Sequence, residues 1–152
     1  MSSQRDQQAA DAIAAHHVEL STEIRRRVQA LESAVREGAQ HADATRAVLD
    51  YLDGELLPHA AAEERALYPA GDRGPTALLV RAMLDEHRRI VAAVGDLRGA
   101  GDGVTAATAA AAVLALFEAH LAKENDYLVP ALVADPDVDL AALLEGMHAL
   151  VG

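Results

Sequence analysis

Along most of this chain apolar residues return every three to four positions, the period at which one face of an α-helix comes round. The first stripe, Ile13, Leu20, Ile24 and Leu31, lies in a segment running from about Asp6 to Gly38. A second passes through Val48, Leu52, Leu56 and Leu67, a third through Val80, Met83, Ile90 and Val94, and a fourth through Val113, Phe117 and Leu128. Gly and Pro punctuate them at Gly38, at "GDRGP" (71–75), at "RGAGDG" (98–103) and at "ADPD" (134–137). Pro75 suits the first turn of a helix, where its missing N–H has no partner to lose. Beyond the last break, "VDLAALLEGMHALV" reads as a short helix over about 137–150. Loops this short favour antiparallel neighbours. The pattern therefore predicts an all-α fold: an up-down-up-down four-helix bundle over about residues 8–131 with a short C-terminal fifth helix, in a single domain of residues 1–152.

Two features disturb the pattern. Pro58 falls inside the second helix, where it forfeits a hydrogen bond to the Gly54 carbonyl and predicts a local kink or bulge. Each stripe is also broken by a histidine where an apolar residue is due: His17, His59, His87 and His120. In the first helix His16 competes for the role, about 100° further round, while His17 continues the stripe. Glu63 and Glu124 each follow a histidine by four residues, in "HAAAEERALYP" and "HLAKENDYLVP", and the prolines at 69 and 130 mark matching ends of those seams. That spacing sets the two Cβ atoms roughly 5–6 Å apart on one face.

A buried carboxylate is costly unless something compensates it. Arg65, Arg81, Arg88, Arg89 and Lys123 are available for ion pairs, but none sits plainly on a seam. Four imidazoles and two carboxylates suit iron, manganese or zinc, and are the wrong set for calcium. One metal rarely takes all six, whereas two metals sharing the carboxylates use every ligand and leave open positions.

Composition narrows the field further. The palette of Ala, Leu and Val with only Phe117, Tyr51, Tyr68 and Tyr127 as aromatics belongs to helices. With 13 basic against 24 acidic residues, a formal charge of −11 at pH 7, the chain lacks the basic face that a nucleic-acid partner needs. There are no cysteines, so thiolate metal sites and disulfides are excluded. The N-terminal "MSSQRDQQAADA" lacks the apolar core of a signal peptide, and "VTAATAAAAVLALFEAH" reads as a buried helix, so a soluble cytoplasmic protein without a membrane partner is expected.

The order H…H-x-x-x-E…H…H-x-x-x-E, carried by His17, His59 with Glu63, His87, and His120 with Glu124, resembles the hemerythrin-like, or HHE cation-binding, family over about residues 10–131. The resemblance implies two non-haem iron ions with an oxo or hydroxo bridge, the histidines as terminal ligands and the glutamates as bridges. It implies O2, hydrogen peroxide or nitric oxide as the small-molecule partner. The chain departs from oxygen-carrying hemerythrins at Val91, where those have a second histidine in the third helix, and at Asn125, where they place an aspartate. A pair of ions with fewer histidines favours redox chemistry, catalase-like, over reversible oxygen carriage. The alternative is an oxygen, nitric oxide or iron sensor or storage protein without turnover. Tyr68 and Tyr127 are candidate hydrogen-bond donors beside the site, while His41 is expected in solvent and His148 to pack or cap in the last helix.

Overall fold

In the computed structural model, which describes residues 4–151, the first stripe becomes helix α1 (Gln4–Arg36). Gly38 ends it with a φ of 65°, a left-handed conformation that suits glycine. There the Gly38 N–H donates to the Val35 carbonyl at 3.1 Å and that of Ala39 to the Ala34 carbonyl at 2.9 Å, which satisfies two carbonyls of the last turn. Helix α2 spans residues 42–71, a short turn at Gly74–Thr76 carries Pro75, and α3 (Ala77–Arg98) and α4 (Gly103–Ala134) come next. Asp102 caps α4 by accepting from the Thr105 N–H at 2.8 Å and hydroxyl at 2.9 Å. Helix α5 (Leu140–Val151) starts a little later than about 137, because the Asp139 side chain accepts from the Ala142 N–H at 2.9 Å and begins the helix there.

No strand occurs among the described residues, so the fold is all-helical, with five helices. α1 packs on α2 and α4, and α3 on α4 and α2, a set of neighbours that fits a four-helix bundle; α5 lies across α1 and α2. Helix α4 is long and apolar enough to cross a bilayer by length and composition. Its Ala110, Val113, Phe117, His120, Glu124 and Leu128 are nevertheless buried within the protein.

Two of the helices widen at defined places. α2 has π-helical turns at Leu52–Leu56 and Glu63–Leu67, and α4 has one at Glu124–Leu128. Two residues beyond each turn stands a proline: Pro58, Pro69 and Pro130. Proline lacks the N–H for the carbonyl four residues back and clashes with it. The N–H just before each proline reaches five residues back instead, Leu57 to Leu52, Tyr68 to Glu63 and Val129 to Glu124. The bulge expected from Pro58 is the first of the three. Pro69 and Pro130 do not end their helices, which continue to Gly71 and Ala134 because the wide turn absorbs the ring.

The buried apolar residues form two clusters. One contains Leu20, Leu56, Ile90 and Leu121, the other Ile13, Ala62, Met83 and Leu128. In each long helix the histidine or glutamate of the stripe stands between a member of one cluster and a member of the other. A polar layer thus cuts the core in two.

Leu31 is fully buried in the first cluster, away from that layer. Leu31→Ala should lower the unfolding free energy by about 2–5 kcal/mol, as a large-to-small core change does, without altering metal uptake. Urea denaturation beside elemental analysis checks both halves of the expectation.

Candidate metal centre

The polar layer holds one histidine from each long helix, His17 on α1, His59 on α2, His87 on α3 and His120 on α4, all buried, with Glu63 and Glu124 at 1% and 0% exposure. Both glutamates open π-helical turns. His59 Nε2 lies 3.3 Å from Glu63 Oε1, and His120 Nε2 lies 3.1 Å from Glu124 Oε2. Across the layer His17 Nε2 is 3.9 Å from Glu63 Oε2 and 3.9 Å from Glu124 Oε1, and His87 Nε2 is 3.9 Å from Glu63 Oε1. Between His16 and His17 the fold separates the candidates: His17 is buried, while His16 is nearly half exposed and turns to Glu19.

Three of the rings are anchored from behind. His17 Nδ1 meets Asn125 Oδ1 at 2.7 Å, His87 Nδ1 meets Glu64 Oε1 at 2.8 Å, and His120 Nδ1 meets Glu86 Oε1 at 3.2 Å. Oxygen acceptors assign the proton to Nδ1, which leaves each Nε2 with a lone pair directed into the layer. Lys123 pairs with Glu86 and holds that carboxylate in turn. Burial pulls the His17 and His120 titrations below the ordinary imidazole range, reinforced at His120 by His87, which favours the neutral form that can ligate. For Glu63, burial works against the ionised form, but His59, His17 and His120 outweigh it and set its titration below the usual carboxylate value.

The interior of the layer lacks donors. Both oxygens of Glu63, both of Glu124, and Nε2 of His17 and of His59 have no hydrogen-bond partner. The short His120 to Glu124 approach is close in distance without being aligned as a hydrogen bond. Neither glutamate pairs with an arginine or lysine among the described residues, so the ion-pair explanation of their burial does not hold. A cation is what such a set lacks. Two groups of donors lie close enough to hold one, His17 with His59 and Glu63, and Glu63 with His87 and His120. The nitrogen and carboxylate ligands fit a transition metal of the iron, manganese or zinc type.

Other candidates fall elsewhere. Tyr127 is 65% exposed and outside the layer, whereas Tyr68 is buried, its hydroxyl 2.8 Å from His120 Nε2 and 3.2 Å from His87 Nε2. Burial, then Glu63, Glu64 and Glu86, raises the Tyr68 titration well above that of an ordinary phenol. His41, expected in solvent, is instead partly buried where Gly103 leaves room, its Nδ1 without a partner. His148 is exposed and lines a cavity of about 490 Å³ with Ile13, His16, His59 and Met147. Glu64 and Glu86 were not singled out by spacing, and Asn125 only as the residue standing where oxygen-carrying hemerythrins place an aspartate. Glu64 and Asn125 directly succeed Glu63 and Glu124, and Glu86 directly precedes His87, and this adjacency to each ligand candidate was the available signal.

A sequence model of the family described as "Hemerythrin HHE cation binding domain" matches residues 8–132. No curated protein and no solved structure matches the chain.

The anchoring and the missing donors lead to two expected outcomes. Glu86→Leu, which removes the acceptor behind His120, should weaken metal retention by about 10–100-fold in a chelator competition, with Glu86→Gln closer to the parent. Metal-free Glu124→Gln should be more stable to urea than the metal-free parent by about 1 kcal/mol or more, because it removes a buried charge that nothing compensates. With metal bound that order should reverse.

Proposed function

The chain belongs to the hemerythrin HHE cation-binding family, and on that premise we propose that it is an up-down-up-down bundle holding two iron ions that act on O2 or hydrogen peroxide, in a catalase-like reaction. His17 and His59 would hold one ion, His87 and His120 the other, with Glu63 and Glu124 bridging them. The observation that carries this reading is Glu63, which belongs to both donor groups. Glu124 supports it, with one oxygen toward His17 and the other toward His120.

Iron supplies reversible one-electron changes, the chemistry that peroxide or O2 requires. The chain's own part is to present four imidazoles, hold three of them by Asn125, Glu64 and Glu86, and keep bulk water out with the apolar clusters on either side. The cavity that reaches His59, largely apolar beneath α5, offers a small neutral molecule a route to the layer. A second reading, an oxygen, nitric oxide or iron sensor or store without turnover, draws support from the four carboxylate oxygens without donors. They couple the stability of the fold to metal occupancy.

Elemental analysis, an optical spectrum and a peroxide assay on protein purified without a histidine tag and supplied with iron test these readings together. The expected result is about two irons per chain with peroxide consumed. Full iron content and a large thermal shift without turnover would favour the sensor or store. Less than about one metal per two chains would overturn both. Glu63→Ala should cut the content to at most about one per chain, since both donor groups lose the carboxylate they have in common and Glu124 alone is left to bridge; retention of both ions would exclude bridging by Glu63.

A further inference from the structure

The hydroxyl of Tyr68 and the two Nε2 atoms it faces form a closed triangle. Its edges are 2.8 Å from Tyr68 Oη to His120, 3.2 Å from Tyr68 Oη to His87, and 2.9 Å between the two nitrogens. With Nδ1 of His87 and of His120 committed to Glu64 and Glu86, the three atoms share a single proton, that of the phenol. That proton can satisfy one nitrogen. The remaining lone pairs face each other at hydrogen-bond distance with nothing between them, an arrangement that repels unless a positive charge occupies it. A cation whose ligands lie at about 2.1 Å and at right angles holds neighbouring ligand atoms about 3 Å apart. The triangle has the dimensions of one face of such a shell, with one oxygen and two nitrogens at its corners.

The π-helical turn explains how the phenol arrives there. In a regular α-helix the residue five after Glu63 would point about 140° away from it. The i to i+5 bond of the turn brings Tyr68 back to the face of Glu63 and buries it to 1% exposure. The corresponding turn of α4 begins at Glu124, and the residue five after Glu124 is Val129, also buried. The same backbone device therefore delivers an oxygen donor in α2 and an aliphatic side chain in α4.

Resting on the reading that His87 and His120 hold an iron ion, we propose that Tyr68 is a further ligand of that ion, bound through its phenolate oxygen. On binding, the phenol O–H bond breaks and an oxygen–metal bond forms. The proton leaves to solvent and no electron moves. Tyrosinate is an established iron ligand. The two metal positions are then unequal: Tyr68 fills a place at the His87–His120 position, while no residue among those described matches it at the His17–His59 position, beside the cavity that reaches His59. Small ligands are directed to the latter.

The test is a visible spectrum and resonance Raman scattering of the full chain loaded with ferrous iron and oxidised in air, beside Tyr68→Phe. The expected result is a visible charge-transfer band with phenolate ring modes in the parent, lost in Tyr68→Phe while iron content stays the same. Proton release on loading should also fall by about one per chain in the variant. Growth on ring-deuterated tyrosine should shift the modes in the parent, so the assignment does not depend on the variant folding. Full iron content in the parent without phenolate modes, or modes that persist in Tyr68→Phe, would overturn the role of Tyr68 and leave the two-ion reading standing. Failure of the parent to take up iron would overturn both.

Discussion

Two carboxylates sit in the middle of a helical core with no hydrogen-bond donor for any of their four oxygens. An ion taken from water to such a place costs several kcal/mol unless an opposite charge meets it, and no arginine or lysine does so here. The surrounding architecture answers to this one constraint. The apolar stripes divide into two clusters that leave a polar layer between them. Four imidazoles line that layer, and acceptors at Asn125, Glu64 and Glu86 fix three of those rings from behind. Without a cation the layer opposes the fold; a cation held there would join helices whose candidate ligands range from position 17 to position 124. Metal uptake and folding would then be one equilibrium viewed from two sides.

Much of this was legible in the order of residues, for a definite reason. A histidine on an apolar stripe is ambiguous alone, but four stripes with one each, two of them carrying Glu63 and Glu124 a turn later, are hard to reconcile with a hydrocarbon core. The 3.6-residue period located His17 rather than His16 on the inner face, and the burial of the two agrees. The same period failed wherever the helix widens. Tyr68 and Tyr127 looked equivalent, each a few residues past a glutamate, yet one is buried against two histidines and the other is 65% exposed. The difference is that Tyr68 stands five residues after Glu63, where the wide turn restores alignment, and Tyr127 stands three after Glu124. Glu64 and Glu86 carried no pattern signal because they lie at the border of the layer, where an acidic residue on a helix surface is ordinary.

The site also shows how a near-repeat can yield unlike halves. α2 and α4 share histidine, glutamate, π-helical turn and proline in the same order. Among their differences are residues past each glutamate, Glu64 and Tyr68 in one, Asn125 and Val129 in the other. Glu64 supports His87 on a neighbouring helix, and Asn125 supports His17. Each half thus positions histidines of the other helices, so the layer cannot be assembled from one hairpin.

The proline-backed turns have a consequence for how such a centre can change over generations. Each is in effect one inserted residue, a phase jump that lets the segments before and after it keep separate helical registers. Deleting one residue within Glu63–Leu67 and replacing Pro69 would let α2 run on in a single register with Tyr68 four residues after Glu63 and still on its face, whereas the replacement without the deletion would turn Tyr68 about 140° from Glu63. Whether an extra residue accompanies the wide turn therefore decides if an oxygen donor faces the core. In this lineage of helices the length of the chain between fixed residues is itself an inheritable chemical variable, and comparisons that align only the histidines and glutamates pass over it.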